Sequence, residues 1–138
     1  MSLLDIALDH LTLARVTLYR ATLAPQPPAA ITNLHLAPAL DGLRQAGMSD
    51  YLPKALLTAA HWQALAGDDA AARRHLDEAQ QIAERGPMPL YLADVHLHRA
   101  RLFRDPSELA LAQTLIEQHG YGRRHEELGD ALLAAQAW

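Results

Sequence analysis

Apolar residues recur along most of this chain at helical spacing, and short clusters of Gly, Pro and Asp interrupt them. After Gly67, the residues Ala72, Leu76, Ala79 and Ala83 fall on one stripe of a helix, while Arg73, Arg74, Asp77 and Glu78 fall elsewhere. In the final segment Leu128, Ala131, Leu132 and Ala135 recur at i, i+3, i+4 and i+7. Breaks fall at Pro25-Gln26-Pro27-Pro28, Gly47-Met48-Ser49-Asp50, Gly67-Asp68-Asp69, Gly86-Pro87-Met88-Pro89 and Gly120-Tyr121-Gly122. Asp105-Pro106-Ser107-Glu108 reads as an N-cap, a first-turn proline and an acidic first turn. Ser2, Ser49 and Ser107 also stand at helix boundaries, as caps would. The pattern predicts seven amphipathic helices joined by short loops.

The chain also resembles itself. A gapless shift of 40 residues lays His35-Leu36 on His75-Leu76, Met48 on Met88, and Tyr51-Leu52 on Tyr91-Leu92. A shift of 46 lays Ile6, Leu11 and Ala14 on Leu52, Leu57 and Ala60. A two-helix unit cannot bury its apolar face alone, so such a pattern predicts stacked units that close one another's core. We expect one domain, 1–138, with repeats at about 3–47, 50–86 and 88–120 and a capping helix at about 122–136. Small residues, Ala60 and Ala72 in the central unit, are expected where paired helices cross.

Composition narrows the class. Among 138 residues, 27 are Ala and 26 are Leu, while Val, Ile and Thr together number 12, which favours helix and excludes a β-rich fold. Twelve basic residues, eleven of them Arg, stand against sixteen acidic ones for a net charge of −4. With no Lys/Arg run, that balance speaks against a nucleic-acid partner. The absence of cysteine removes thiol nucleophiles and cysteine-ligated metals, and fits a cytoplasmic protein. No stretch approaches the roughly 18 apolar residues that cross a bilayer, and the N-terminus lacks a signal-like core, so no membrane partner is expected.

The central unit resembles the tetratricopeptide repeat, with Leu56, Ala60, Gly67-Asp68, Ala72, Leu76 and Ala79 in that family's order and spacing. It departs from the pattern in Ala60, where glycine is commonest, and in Gln63, where an aromatic is usual. The resemblance implies an all-α fold, an α-α superhelix of stacked antiparallel helix pairs. Residues 41–47, 76–79, 83–88, 93–103 and 115–128 further resemble the C-terminal tetratricopeptide regions of large bacterial proteins carrying a NACHT- or NB-ARC-type nucleotide switch. That likeness implies the tail of a larger signalling protein. The chain carries no G-x-x-x-x-G-K-[ST] phosphate loop of its own.

Residues able to carry chemistry are few. His96-Leu97-His98 with Asp94 invites a metal reading, but on a helix the two histidines point about 200° apart. His96 also aligns with the core position Leu56, so a buried histidine bonded to a neighbouring helix is favoured, and no metal or cofactor is expected. His119 and His125 flank the Gly120 turn without a ligand spacing. The adjacent carboxylates Asp68-Asp69 and Glu126-Glu127 read as turn and cap residues, and with no nucleophile motif catalysis is not expected. Three readings compete at Arg123 and Arg124: an anion site at a helix start, a solvated face with Arg123 paired to Glu127, or docking of Arg124 and His125 on the preceding repeat.

The expected function is therefore binding. Inner faces of the first helices of each repeat would form a groove for a protein or peptide segment, which could belong to the same polypeptide. Lys54, Thr58, His61 and Trp62, then Asp94, His98 and Arg101, are the groove candidates. Trp62 is the best hot-spot candidate, with packing against the proline-rich loop as its competing role. The alternative is small-molecule sensing, which predicts a deep cavity lined by His and Arg. Self-association through the first helix is also expected, along a face lined by Leu4, Leu8 and Leu11.

Overall fold

Ser2 opens the first helix with a reciprocal cap. Its hydroxyl oxygen accepts from the Asp5 backbone N–H at 3.1 Å, and its own N–H donates to the Asp5 carboxylate at 3.1 Å. The Ser2 hydroxyl also donates to the Asp5 carboxylate at 2.7 Å, and this bond first, then the backbone one, holds the Asp5 carboxyl below its usual range. The computed structural model describes residues 2–23, 33–47 and 50–138. The expected proline-rich loop at 25–30, and the expected cap Ser49, lie outside the described residues.

Among the described residues seven α-helices follow one another: α1 (Leu3–Leu23), α2 (Leu36–Gln45), α3 (Leu52–Leu65), α4 (Asp69–Arg85), α5 (Pro89–Phe103), α6 (Pro106–His119) and α7 (His125–Ala135). A 3-10 turn, Gly122–Arg124, leads into α7. Among the described residues there is no strand, so the fold is all-α, with helices packed in adjacent pairs. They gather into two units divided within α4, one running to Glu78 and the other from Ala79 to Trp138.

In the first unit α1 buries Ala7, Leu11, Ala14, Leu18 and Ala21. Its alternation of alanine with leucine admits α2 at short range. His35 meets His10, and further along α2 Gly42 meets Ala7, so α2 runs antiparallel to α1. Just before α2, the Asn33 side-chain amide donates to the Ala14 carbonyl at 3.0 Å. Helix α3 starts at Leu52-Pro53, where the missing proline N–H costs nothing, and buries Ala55, Leu56, Ala59 and Ala60 completely. Asp68 then caps α4 by accepting from the Ala71 N–H at 3.1 Å. Ala72 and Leu76 on α4 are fully buried, as their stripe requires.

The second unit is built on the α5–α6 hairpin. Arg104 turns the chain in a left-handed conformation, φ 52°, and Asp105 caps α6 by accepting from the Ser107 N–H at 2.9 Å. At the other end of α6 the Tyr121 N–H donates to the Ile116 carbonyl at 3.0 Å, with Gly120 left-handed at φ 66°. Ala93, Leu97, Ala100, Leu109, Ala112, Ile116, Leu128 and Ala131 form one core. Ala79 and Ala83 of α4 are buried too.

Two expectations need correction. Leu11 is not part of an exposed face: it is 3 % exposed, because it lies on the Ala7/Ala14/Leu18 stripe that meets the fold. The apolar residues that α1 does expose are Leu3, Ile6, Leu13, Val16, Tyr19 and Leu23. Leu132 likewise leaves the buried stripe of α7, which consists of Leu128 and Ala131; it is exposed.

Candidate functional site

Most charged groups on these helices face water, and α5 is the exception. Its Asp94 carboxylate is buried, a position that costs several kcal/mol unless the charge is matched. The match comes from Arg124, 30 residues on, in the 3-10 turn before α7. Arg124 Nε donates to Asp94 Oδ1 at 2.6 Å and Nη2 donates to Oδ2 at 3.0 Å, a bidentate fork. The hydrogen bond to Asp94 raises the pKa of the guanidinium, with Glu127 assisting at 3.7 Å.

One histidine lies beside this pair. His98 Nδ1 donates to the Asp94 backbone carbonyl at 2.8 Å, one helical turn back, and burial holds its pKa below the ordinary 6.5. Asp94 and Glu127 pull the other way, and Arg101 adds to the lowering. His96 is buried, and its Nδ1 bonds the Glu108 carboxylate on α6. That is the neighbouring-helix partner its alignment with Leu56 implies. Asp94, His98 and Arg124 thus come together around one buried charge pair, and Arg101 stands exposed on the same helix.

On α3, in the first unit, the remaining candidates divide. Thr58 is buried and its hydroxyl donates to the Lys54 carbonyl at 3.0 Å, so it serves its own helix. Lys54 is exposed, and His61 and Trp62 are half-buried near the C-terminal end of α3. Arg123 is exposed, whereas Arg124 faces inward to Asp94 and not toward an external anion. His119 stacks on Tyr121 with ring centroids 5.4 Å apart.

Sequence reasoning missed several partners. In the first unit His75 Nδ1 bonds Gln63 Oε1 at 2.6 Å, linking α3 to α4. His96 and Glu108 are likewise 12 positions apart across a hairpin turn, so a polar residue 12 positions after another was a usable signal. His10 and His35 place their Nδ1 atoms 3.0 Å apart, a contact in which one ring N–H donates and the other nitrogen accepts.

The lowered histidines give a pH prediction. Burial lowers the pKa of His75 and His98 in the folded chain, so the unfolded chain binds protons first as pH falls through 6.5. Stability should be full above pH 7 and fall below 6.5, by at most about 1.4 kcal/mol per pH unit for each proton taken up. Urea denaturation at pH 7.5 and 5.5 checks this. The His98→Gln variant should show a shallower loss over that range than the wild type.

Comparison with protein-family models, curated proteins and solved structures finds no match to this chain.

Proposed function

We propose that the chain is a non-catalytic protein-interaction module of tetratricopeptide type that binds a peptide segment through α3 of its first unit. One observation carries the reading. Helix α3 is anchored by buried alanine and leucine and shows the half-buried His61 and Trp62 beside that anchor. A half-buried Trp on a rigid helix offers area to a partner at little cost in chain ordering. As part of a larger bacterial signalling protein in the cytoplasm, the module would hold a segment of its own polypeptide or of a partner.

A peptide library displayed on phage and panned on the full chain tests this. Enriched peptides should bind the wild type in calorimetry. The Trp62→Ala variant should bind them at least about tenfold more weakly, a loss of about 1.4 kcal/mol or more. Circular dichroism of the variant should be unchanged. Absence of enrichment, or binding by Trp62→Ala equal to that of the wild type, overturns the proposal.

A further inference from the structure

Helix α1 has two apolar faces, and only one is used in packing. The other carries Ile6, Leu13, Val16 and Leu23, each at least 40 % exposed. Their spacing is specific. With Asp9 and Arg20 they form the row 6, 9, 13, 16, 20, 23, which steps by three and four in turn. That is the spacing of a coiled-coil seam, the a and d positions of successive heptads. Asp9 and Arg20 are exposed as well. Two charges of opposite sign therefore interrupt an otherwise apolar seam, one in each half of a 21-residue helix.

The geometry points to a second copy of this chain as the occupant of that face, paired antiparallel through α1. The order of residues selects the arrangement. One antiparallel register sets Ile6 against Leu23 of the second copy, Leu13 against Val16, and Asp9 against Arg20. Two-fold symmetry repeats each pair, so all six seam positions are matched in kind. A parallel pairing in register would instead set Asp9 against Asp9 and Arg20 against Arg20 in the seam, where like charges repel. A wholly apolar partner would leave both charges buried and unmatched. The helix is its own best complement, and Tyr19, exposed beside the seam, adds apolar area to its flank. This face does not include the α3 residues proposed to bind peptide, so either assignment stands without the other.

Charge exchange tests the pairing. In sedimentation of the full chain at hundreds of micromolar, the wild type should be a dimer. Asp9→Arg alone and Arg20→Asp alone each set like charges face to face twice, and should weaken association at least about tenfold. The double variant Asp9→Arg/Arg20→Asp restores every pair and should dimerise again. An equimolar mixture of the two single variants should form a heterodimer for the same reason. Circular dichroism checks that each variant keeps its helix content. The inference is overturned by a monomeric wild type, by single variants that associate as the wild type does, or by a double variant that stays monomeric. Cross-linking fixes the direction, since the chain has no native cysteine. Ile6→Cys should form a disulfide with Leu23→Cys and not with itself, and self-linkage of Ile6→Cys would overturn the antiparallel register.

Discussion

Replacing Arg124 with methionine is expected to destabilise the fold by about 3 kcal/mol, the usual cost of leaving one member of a buried ion pair without its partner. Asp94 sits on α5 with its carboxylate fork closed by Nε and Nη2 of Arg124 at 2.6 and 3.0 Å. Methionine fills much of the same space and supplies no donor. The carboxylate must then take up a proton, draw water in, or carry the α7 end of the unit away from α5. Each response is costly in a unit whose core is shared by α5, α6 and α7. Removing both charges at once has a different expected result. The double variant Asp94→Leu/Arg124→Met should recover most of the loss, because apolar replacements of buried pairs are often neutral. Urea denaturation of the wild type, the two single variants and the double variant measures the coupling. A loss below about 1 kcal/mol in Arg124→Met would show that water reaches Asp94 in solution, since exposed pairs contribute only that much.

The contrast with Arg44 and Glu78 makes the same point. They form a close pair, 2.8 Å, but both side chains are more than a third exposed. Geometry alone would rank the two pairs together; burial separates them.

How far such features can be read from the sequence depends on their range along the chain. Helix ends were legible because they are local: Asp105 with Pro106 and Ser107, and Gly120 with its left-handed backbone, do what their residue types do anywhere. The α5 histidine His96 was legible as a buried residue because its repeat partner is Leu56. Asp94 and Arg124 were both singled out, yet for separate roles. Thirty residues lie between them, and no periodicity connects a helix interior to a 3-10 turn. Helix α1 failed for another reason. Apolar residues lie on both its sides, and periodicity alone does not say which of them packs. The side that packs is marked instead by Ala7, Ala14 and Ala21, each at most 2 % exposed, because small residues are what a close helix crossing needs. Leu11 lies on that alanine stripe and is buried with it, so it was not available to the self-association face expected along Leu4, Leu8 and Leu11.

Gly42 follows from the same crossing, and its substitution should reverse the ordinary rule for helices. Glycine inside an exposed helix costs about 1 kcal/mol relative to alanine, so Gly42→Ala would stabilise α2 if nothing stood nearby. A Cβ at this position would lie 2.7 Å from the Ala7 Cβ and 3.4 Å from the Ala7 Cα. Neither atom belongs to a flexible side chain that could swing away, so α1 and α2 must separate along their length. Overpacking of that kind costs about 1–3 kcal/mol, and contact with a helix backbone falls at the upper end. After the gain in helix propensity, a net loss of about 2 kcal/mol is expected. Ala7→Gly alone should cost about 1 kcal/mol through propensity and a small void. In the double variant Ala7→Gly/Gly42→Ala the methyl group has merely crossed from one helix to the other. Its stability should return to within about 1 kcal/mol of the wild type, so the two substitutions couple by about 2 kcal/mol. Chemical denaturation of the four proteins reads this directly. A stabilising Gly42→Ala with no coupling would mean that the two helices stand further apart than the Ala7–Gly42 contact requires, and that alanine at the α1 crossing serves propensity and not proximity.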